Sequence, residues 1–172
     1  MKKTLTIALI TLSIATGGCG WHLRGAPKNF PPGSKLYITA QNPRADTAES
    51  LTRLLQNAGV PMAESAIEAD YVLIIHAENE RRRTVSVDAK GRASEYELTT
   101  SALYSVRDSS GRTLLDNAEA VVYRTLVWDD NEVVSKGEEE RSLRVEMRRD
   151  LISRIIDRLR RIDIDAAPSD RS

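Results

Sequence analysis

Apolar and polar positions alternate along KLYITA (35–40), which predicts a short strand. Asn42-Pro43 then breaks the chain. Asp46 followed by Glu49 fits a helix-opening capping box. Leu51, Leu54, Leu55 and Ala58 fall at i, i+3, i+4 and i+7, one face of a helix, and Gly59 and Pro61 end it. The expected helix covers about 46–58. Alternation returns in ADYVLIIHAE (69–78) and continues through ERRRTVSVD, so one long strand is expected, with a bend near Asn79. It ends at the turn Ala89-Lys90-Gly91-Arg92. From Glu95 to Val106, Tyr96, Leu98, Thr100, Ala102, Tyr104 and Val106 share one strand face. RDSSGR (107–112) reads as a turn, and Thr113 to Trp128 as a further strand. Three strands joined by short turns make an antiparallel meander. Leu143, Met147, Leu151, Ile155 and Leu159 step by four in a long last helix, whose start Asp129…Glu132 or Ser135…Glu138 could cap. The pattern predicts an α+β fold: a two-layer sandwich of a four-stranded mixed sheet with two helices packed on one face, in the order β-α-β-β-β-α.

The chain start follows a different rule. Lys2 and Lys3 precede about a dozen uncharged residues, Thr4 to Ala15. A spanning helix needs roughly 20 apolar residues, so this layout is that of a secretory signal, residues 1–18. Small residues lead straight into Cys19, the single cysteine of the chain. That arrangement resembles a bacterial lipobox, with Thr16 where Leu is usual. One cysteine excludes an internal disulfide, and a free thiol in an oxidising compartment is a liability. A lipid on Cys19 accounts for it, and three acyl chains would hold the protein on a membrane. Residues 19–34, rich in proline and glycine, read as a lipidated tether. Residues 35–165 read as one domain and 166–172 as a flexible tail.

Composition narrows the function. The chain carries 25 basic and 25 acidic residues, and so lacks the basic excess of a general nucleic-acid binder. No internal repeat stands out. His22 lies beside Cys19, and His76 sits inside an apolar strand, where a packed or hydrogen-bonded side chain is the expectation. No second His or Cys completes a zinc site. There is no nucleophile elbow and no phosphate loop. Asp129-Asp130-Asn131-Glu132 lacks calcium-loop spacing and reads as a surface loop. Glu95 and Glu97 share a strand face and read as solvated. Neither an enzyme nor a cofactor is expected. Three basic features remain. Arg81-Arg82-Arg83 reads as charge protecting an edge strand, with a phosphate or acidic partner as the alternative. Lys90 and Arg92 flank Gly91 at a hairpin tip. Lys136 stands in the loop or first turn before the last helix, where a cation opposes the helix dipole. Lys90, Arg92 and Lys136 are the candidate ligand residues.

The run Cys19-Gly20-Trp21-His22-Leu23-Arg24-Gly25 resembles the mature start of the LPS-assembly lipoprotein LptE family. The strand–helix–three strands–helix order, the basic turn before Glu95-Tyr96, and Lys136 ahead of the long helix are similar too. The resemblance implies a non-catalytic lipoprotein that plugs an LptD-type outer-membrane β-barrel and assists its assembly. It also implies binding of lipopolysaccharide, with Lys90, Arg92 and Lys136 in the ligand regions. Gly20, rather than Asp, implies the outer membrane, on its periplasmic side. An accessory subunit of another envelope lipid-transport system is the second reading, and a lipid-anchored hydrolase the third. Cys19→Ala is expected to abolish acylation and leave the domain folded, because no packing depends on residue 19. Mass spectrometry and circular dichroism of the variant test this, and unfolding would contradict it.

Overall fold

The computed structural model describes residues 33–42 and 46–162. Cys19, the signal segment, most of the tether and the tail 166–172 lie outside the described residues. The elements run β1 (Leu36–Ala40), α1 (Asp46–Asn57), β2 (Tyr71–Val87), β3 (Ala93–Asp108), β4 (Thr113–Val127) and α2 (Val133–Leu159). The sheet order is β1-β2-β3-β4. β1 is parallel to β2, and the other pairs are antiparallel. Both helices cover one face, so the expected two-layer α+β sandwich and its element order are observed. Leu51 and Leu55 of α1 and Met147, Leu151, Ile155 and Leu159 of α2 pack on Leu73, Ile75, Leu98, Val106, Val122 and Leu126. Each such side chain contributes roughly 1.5–3 kcal/mol by leaving water.

The long strand is not one uninterrupted alternation. Tyr71, Leu73 and Ile75 face the helices and are buried. Between Ile75 and Ala77 the register slips by one residue, a β-bulge at His76. The helix-facing set becomes Glu78, Glu80, Arg82 and Thr84, paired with Ala102, Thr100, Leu98 and Tyr96. The expected bend near Asn79 is therefore this bulge, three residues earlier. His76 pins it. Gln41 Nε2 donates to His76 Nδ1 at 3.1 Å, leaving Nε2 to donate to Ser105 Oγ at 2.8 Å. Ser105 Oγ in turn donates to Asp116 Oδ1 at 3.3 Å and accepts from the Asn117 amide at 3.0 Å. Asn117 holds φ +44°, beside a second irregularity between Tyr104 and Val106.

The helix starts depart from expectation. Val133 opens α2 after Glu132, and no side chain caps it. Ser135 lies inside the first turn and donates to the Glu132 carbonyl, so neither proposed box forms. At α1, Glu49 pairs with Arg53 and Asp46 with Arg148. The Thr47 amide donates instead to Glu78 Oε1 of β2 at 3.2 Å. Burial pushes the Glu78 carboxyl up from its usual value, partly offset by that bond.

The two hairpin turns are twins. In Asp88-Ala-Lys-Gly-Arg92 and Asp108-Ser-Ser-Gly-Arg112 the Asp carboxylate accepts the amides of the third and fifth residues and the fifth residue's guanidinium. Gly91 and Gly111 supply the left-handed φ of +77° and +84°. This D-x-x-G-R repeat is legible in the sequence, although no repeat was expected there.

Two predictions follow from this packing. Thr100 Oγ1 is buried with no hydrogen-bond partner. Thr100→Val is expected to keep or raise stability, by up to about 1 kcal/mol, in urea unfolding. A loss would mean that the hydroxyl is satisfied. Asp108 is held down at about 2, against 3.8, by hydrogen bonds from Ser110 and Arg112. Its stabilisation is complete above pH 3.8 and is lost as pH falls through 2. A carboxyl NMR titration is expected to place its midpoint near 2, rising toward 3.8 in Arg112→Ala.

Candidate functional site

The first turns of α2, the β2–β3 turn and the loop after β4 meet at one end of the molecule. At that end an aromatic and cationic stack orders the side chains. Tyr96 and Trp128 both face the helices and meet edge to face, with centroids 5.4 Å apart and planes at 83°. The Arg82 guanidinium lies 3.6 Å from the Tyr96 ring centre and 4.4 Å from that of Trp128. Arg82 also donates to Glu140 of α2 at 2.9 Å. Arg82 thus stacks and pairs while lying on the stretch of β2 that β1 leaves unpaired, so a packed role and the expected edge charge coincide there. Arg83, on the opposite face, pairs across the strand with Glu97 at 3.1 Å. Sequence reading missed Arg82 as part of this end. The signal was its period-two position with Glu78 and Glu80, a charged stripe facing a charged helix.

Trp128 Nε1 donates to Asp130 Oδ1 at 2.8 Å. Asp130 lies 3.6 Å from Arg92, which ties the loop to the hairpin. Asp129 accepts the Asn131 amide at 2.8 Å, an Asx turn that accounts for the acidic loop. Among the described residues no three His, Cys, Asp or Glu side chains converge to hold a metal ion.

The three candidate cations differ in freedom. Arg92 is bound to Asp88 through Nε at 3.0 Å and Nη2 at 2.8 Å. This raises the guanidinium above its ordinary value, while the Arg92 amide and side chain hold the Asp88 carboxyl down. Arg112 makes the equivalent bond at the other turn, so Arg92 has a structural role of its own. Lys90 occupies the third position, where the twin turn has Ser110, and among the described residues it has no ion pair. Lys136 lies in the first turn of α2 with its side chain only 18% exposed. It donates to Glu139 at 2.8 Å, which raises it above its ordinary value. That bond gives Lys136 a structural partner that the sequence did not reveal. The field of Asp129 reaches both Arg92 and Lys136, placing them at the same end. Raised in this way, Arg92 and Lys136 stay charged across the physiological pH range.

At this end Lys90, Arg92 and Lys136 are set among the carboxylates of Asp88, Asp130 and Glu139. Valines at 85, 87, 127, 133 and 134 are exposed around it. Among the described residues no helix is long and apolar enough to cross a membrane.

The fold and sequence have named relatives. Lipoprotein B of Nitrosomonas europaea superposes with a TM-score of 0.67 at 24% identity, over 80% of this chain and 88% of that one. The rare lipoprotein B of Shewanella oneidensis gives 0.64 at 20% identity, over 73% and 93%. A curated relative, the LPS-assembly lipoprotein LptE of Photorhabdus laumondii, is 28% identical over 152 residues, 83% of this chain and 82% of its own length. The family described as "LptE: Lipopolysaccharide-assembly" matches residues 34–159. Its members are non-catalytic accessory proteins. The chain belongs to the LptE family.

Proposed function

We propose that this protein is a non-catalytic lipoprotein of lipopolysaccharide assembly in the outer membrane, anchored through Cys19 on the periplasmic side. It plugs an LptD-type β-barrel, assists its assembly and binds lipopolysaccharide during insertion into the outer leaflet. Family membership supports the assembly role. The observation that carries the ligand reading is Lys90, a cation without an ion pair among the described residues, at the tip of a turn whose twin has a neutral residue there.

Phosphates on lipid A and the inner core would meet Lys90 first. They would then compete with Asp130 for Arg92 and with Glu139 for Lys136. Hydrogen bonds to charged groups contribute about 1.5–3 kcal/mol each, enough to favour a multivalent anion over these exposed carboxylates. The exposed valines beside the tip suit the apolar part of such a ligand. The balanced net charge suits a plug in a polar lumen.

Lys90→Glu and Lys136→Asp are each expected to weaken lipopolysaccharide binding about tenfold or more, with barrel pairing retained. Titration of labelled lipopolysaccharide into detergent-solubilised full-length protein measures the first effect. A tagged pull-down from solubilised envelopes measures the second. Unchanged binding in both variants overturns the ligand reading. Absence of a stoichiometric barrel, with the protein still in the outer membrane, overturns the plug and favours an accessory of another lipid-transport system.

A further inference from the structure

A second cationic feature lies at the other end of α2. Arg154 and Arg158 lie at i and i+4 on one face of α2, and Arg161 follows in the turn after the helix ends. With Tyr104, Glu119 and the Ala118–Val121 backbone of β4 they line a groove of about 410 Å³. That volume lies within the roughly 300–1,000 Å³ of small-ligand sites. Tyr104 is a buried residue, 1% exposed, and it reaches the groove from β3. Arg158 and Arg161 act on it electrostatically.

Among the described residues ten of the sixteen arginines have a carboxylate partner; Arg81, Arg107 and Arg149 share with the groove arginines the lack of an ion pair, and the groove is what gathers three in one place. Arg82 has Glu140, Arg144 has Glu80 and Glu140, Arg148 has Asp46 and Glu80, and Arg160 has Asp157. Among the described residues Arg158 and Arg161 have no ion pair, and Arg154 donates to the Val121 carbonyl. Cations near a helix C-terminus suit its dipole, but that alone does not explain three around one concave surface with a phenol in its wall. Arg154 also decides between kinds of anion. It occupies a carbonyl on the outer edge of β4, the group that an acidic peptide would need in order to add as a strand. A compact anion meets no such obstacle.

We propose that this groove binds a phosphate monoester, with Arg158 and Arg161 as the principal donors and the Tyr104 hydroxyl supporting them. Guanidinium forks match phosphate oxygens bidentately, and the groove leaves room for the esterified group. Lys136 and Arg158 are separated by roughly 33 Å along the helix axis at 1.5 Å per residue. The site is therefore separate from the hairpin tip and does not rest on the reading of that tip.

The test uses the lipidated full-length chain in detergent micelles, with arginine side-chain NMR signals followed on titration. The probes are inorganic phosphate, then micelles doped with phosphatidic acid against micelles of phosphatidylcholine alone. Saturable shifts of Arg158 and Arg161 are expected. A response to inorganic phosphate identifies a soluble phosphate as sufficient. A response only to phosphatidic acid identifies a lipid headgroup. Arg158→Gln/Arg161→Gln is expected to lower affinity at least tenfold, whereas Arg53→Gln/Arg141→Gln, an equal charge loss elsewhere, leaves it unchanged. No saturable response to either probe overturns the site. So does an equal loss in both double variants, which would reduce the effect to general charge. If binding emerges only after Asp163→Asn/Asp165→Asn, the chain's own carboxylates at 163 and 165 are the occupant and the proposal fails.

Discussion

A helix of 27 residues has to lie along a sheet whose facing surface is apolar along β3 and β4 and charged along the second half of β2. Everything distinctive about the molecule follows from how that mismatch is met. The buried residues of α2 all fall between Met147 and Leu159. They sit over Leu98, Val106, Val122 and Leu126, where burial supplies the energy. Toward the charged part of β2 the helix faces Glu80 and Arg82, and it answers with Glu140, Arg144 and Arg148. Partly exposed ion pairs contribute only about 0–1 kcal/mol each. The stacking of Arg82 on Tyr96 and Trp128 adds roughly 0.5–2 kcal/mol. The helix is therefore held firmly at its C-terminal half and more lightly at its N-terminal half.

The bulge at His76 is what divides the sheet in this way. Without the slip, Ala77, Asn79, Arg81 and Arg83 would face the helix, and the Glu80 and Arg82 bonds could not form. The chain through Gln41, His76, Ser105 and Asp116 fixes the slip from the opposite face of the sheet. A polar network on one side thus sets which charges meet on the other.

Much of this fold was legible in the chain. Period-two runs gave all four strands, and steps of four gave the core stripe of α2, since burial acts directly on those positions. The bulge was not legible, because the residues beyond His76 are polar on both faces and carry no out-of-phase apolar mark. The place of Arg82 was hidden for a related reason. Its partners Tyr96, Trp128 and Glu140 are distant in sequence, and only the register brings them together. Of the candidate cations, the sequence located Lys90 and Arg92 together but could not separate them. The Asp88–Arg92 clamp distinguishes them, and it became recognisable once its copy at Asp108–Arg112 was seen. The Lys136–Glu139 bond was hidden by the uncertain start of α2, since a pair three residues apart meets only once the helix is in place.

The paired turns have one more consequence. Asp, Gly and Arg hold each turn together with the amide of the third residue, so the side chains at the second and third positions are not shared parts of its geometry, although Ser110 adds a bond of its own to Asp108. Ala89 and Lys90 fill them at one hairpin, Ser109 and Ser110 at the other. The turn behaves as a socket with two exchangeable contacts. Its charge could drift from one lineage to the next, or be rewritten by design, without disturbing the register of the strands beneath.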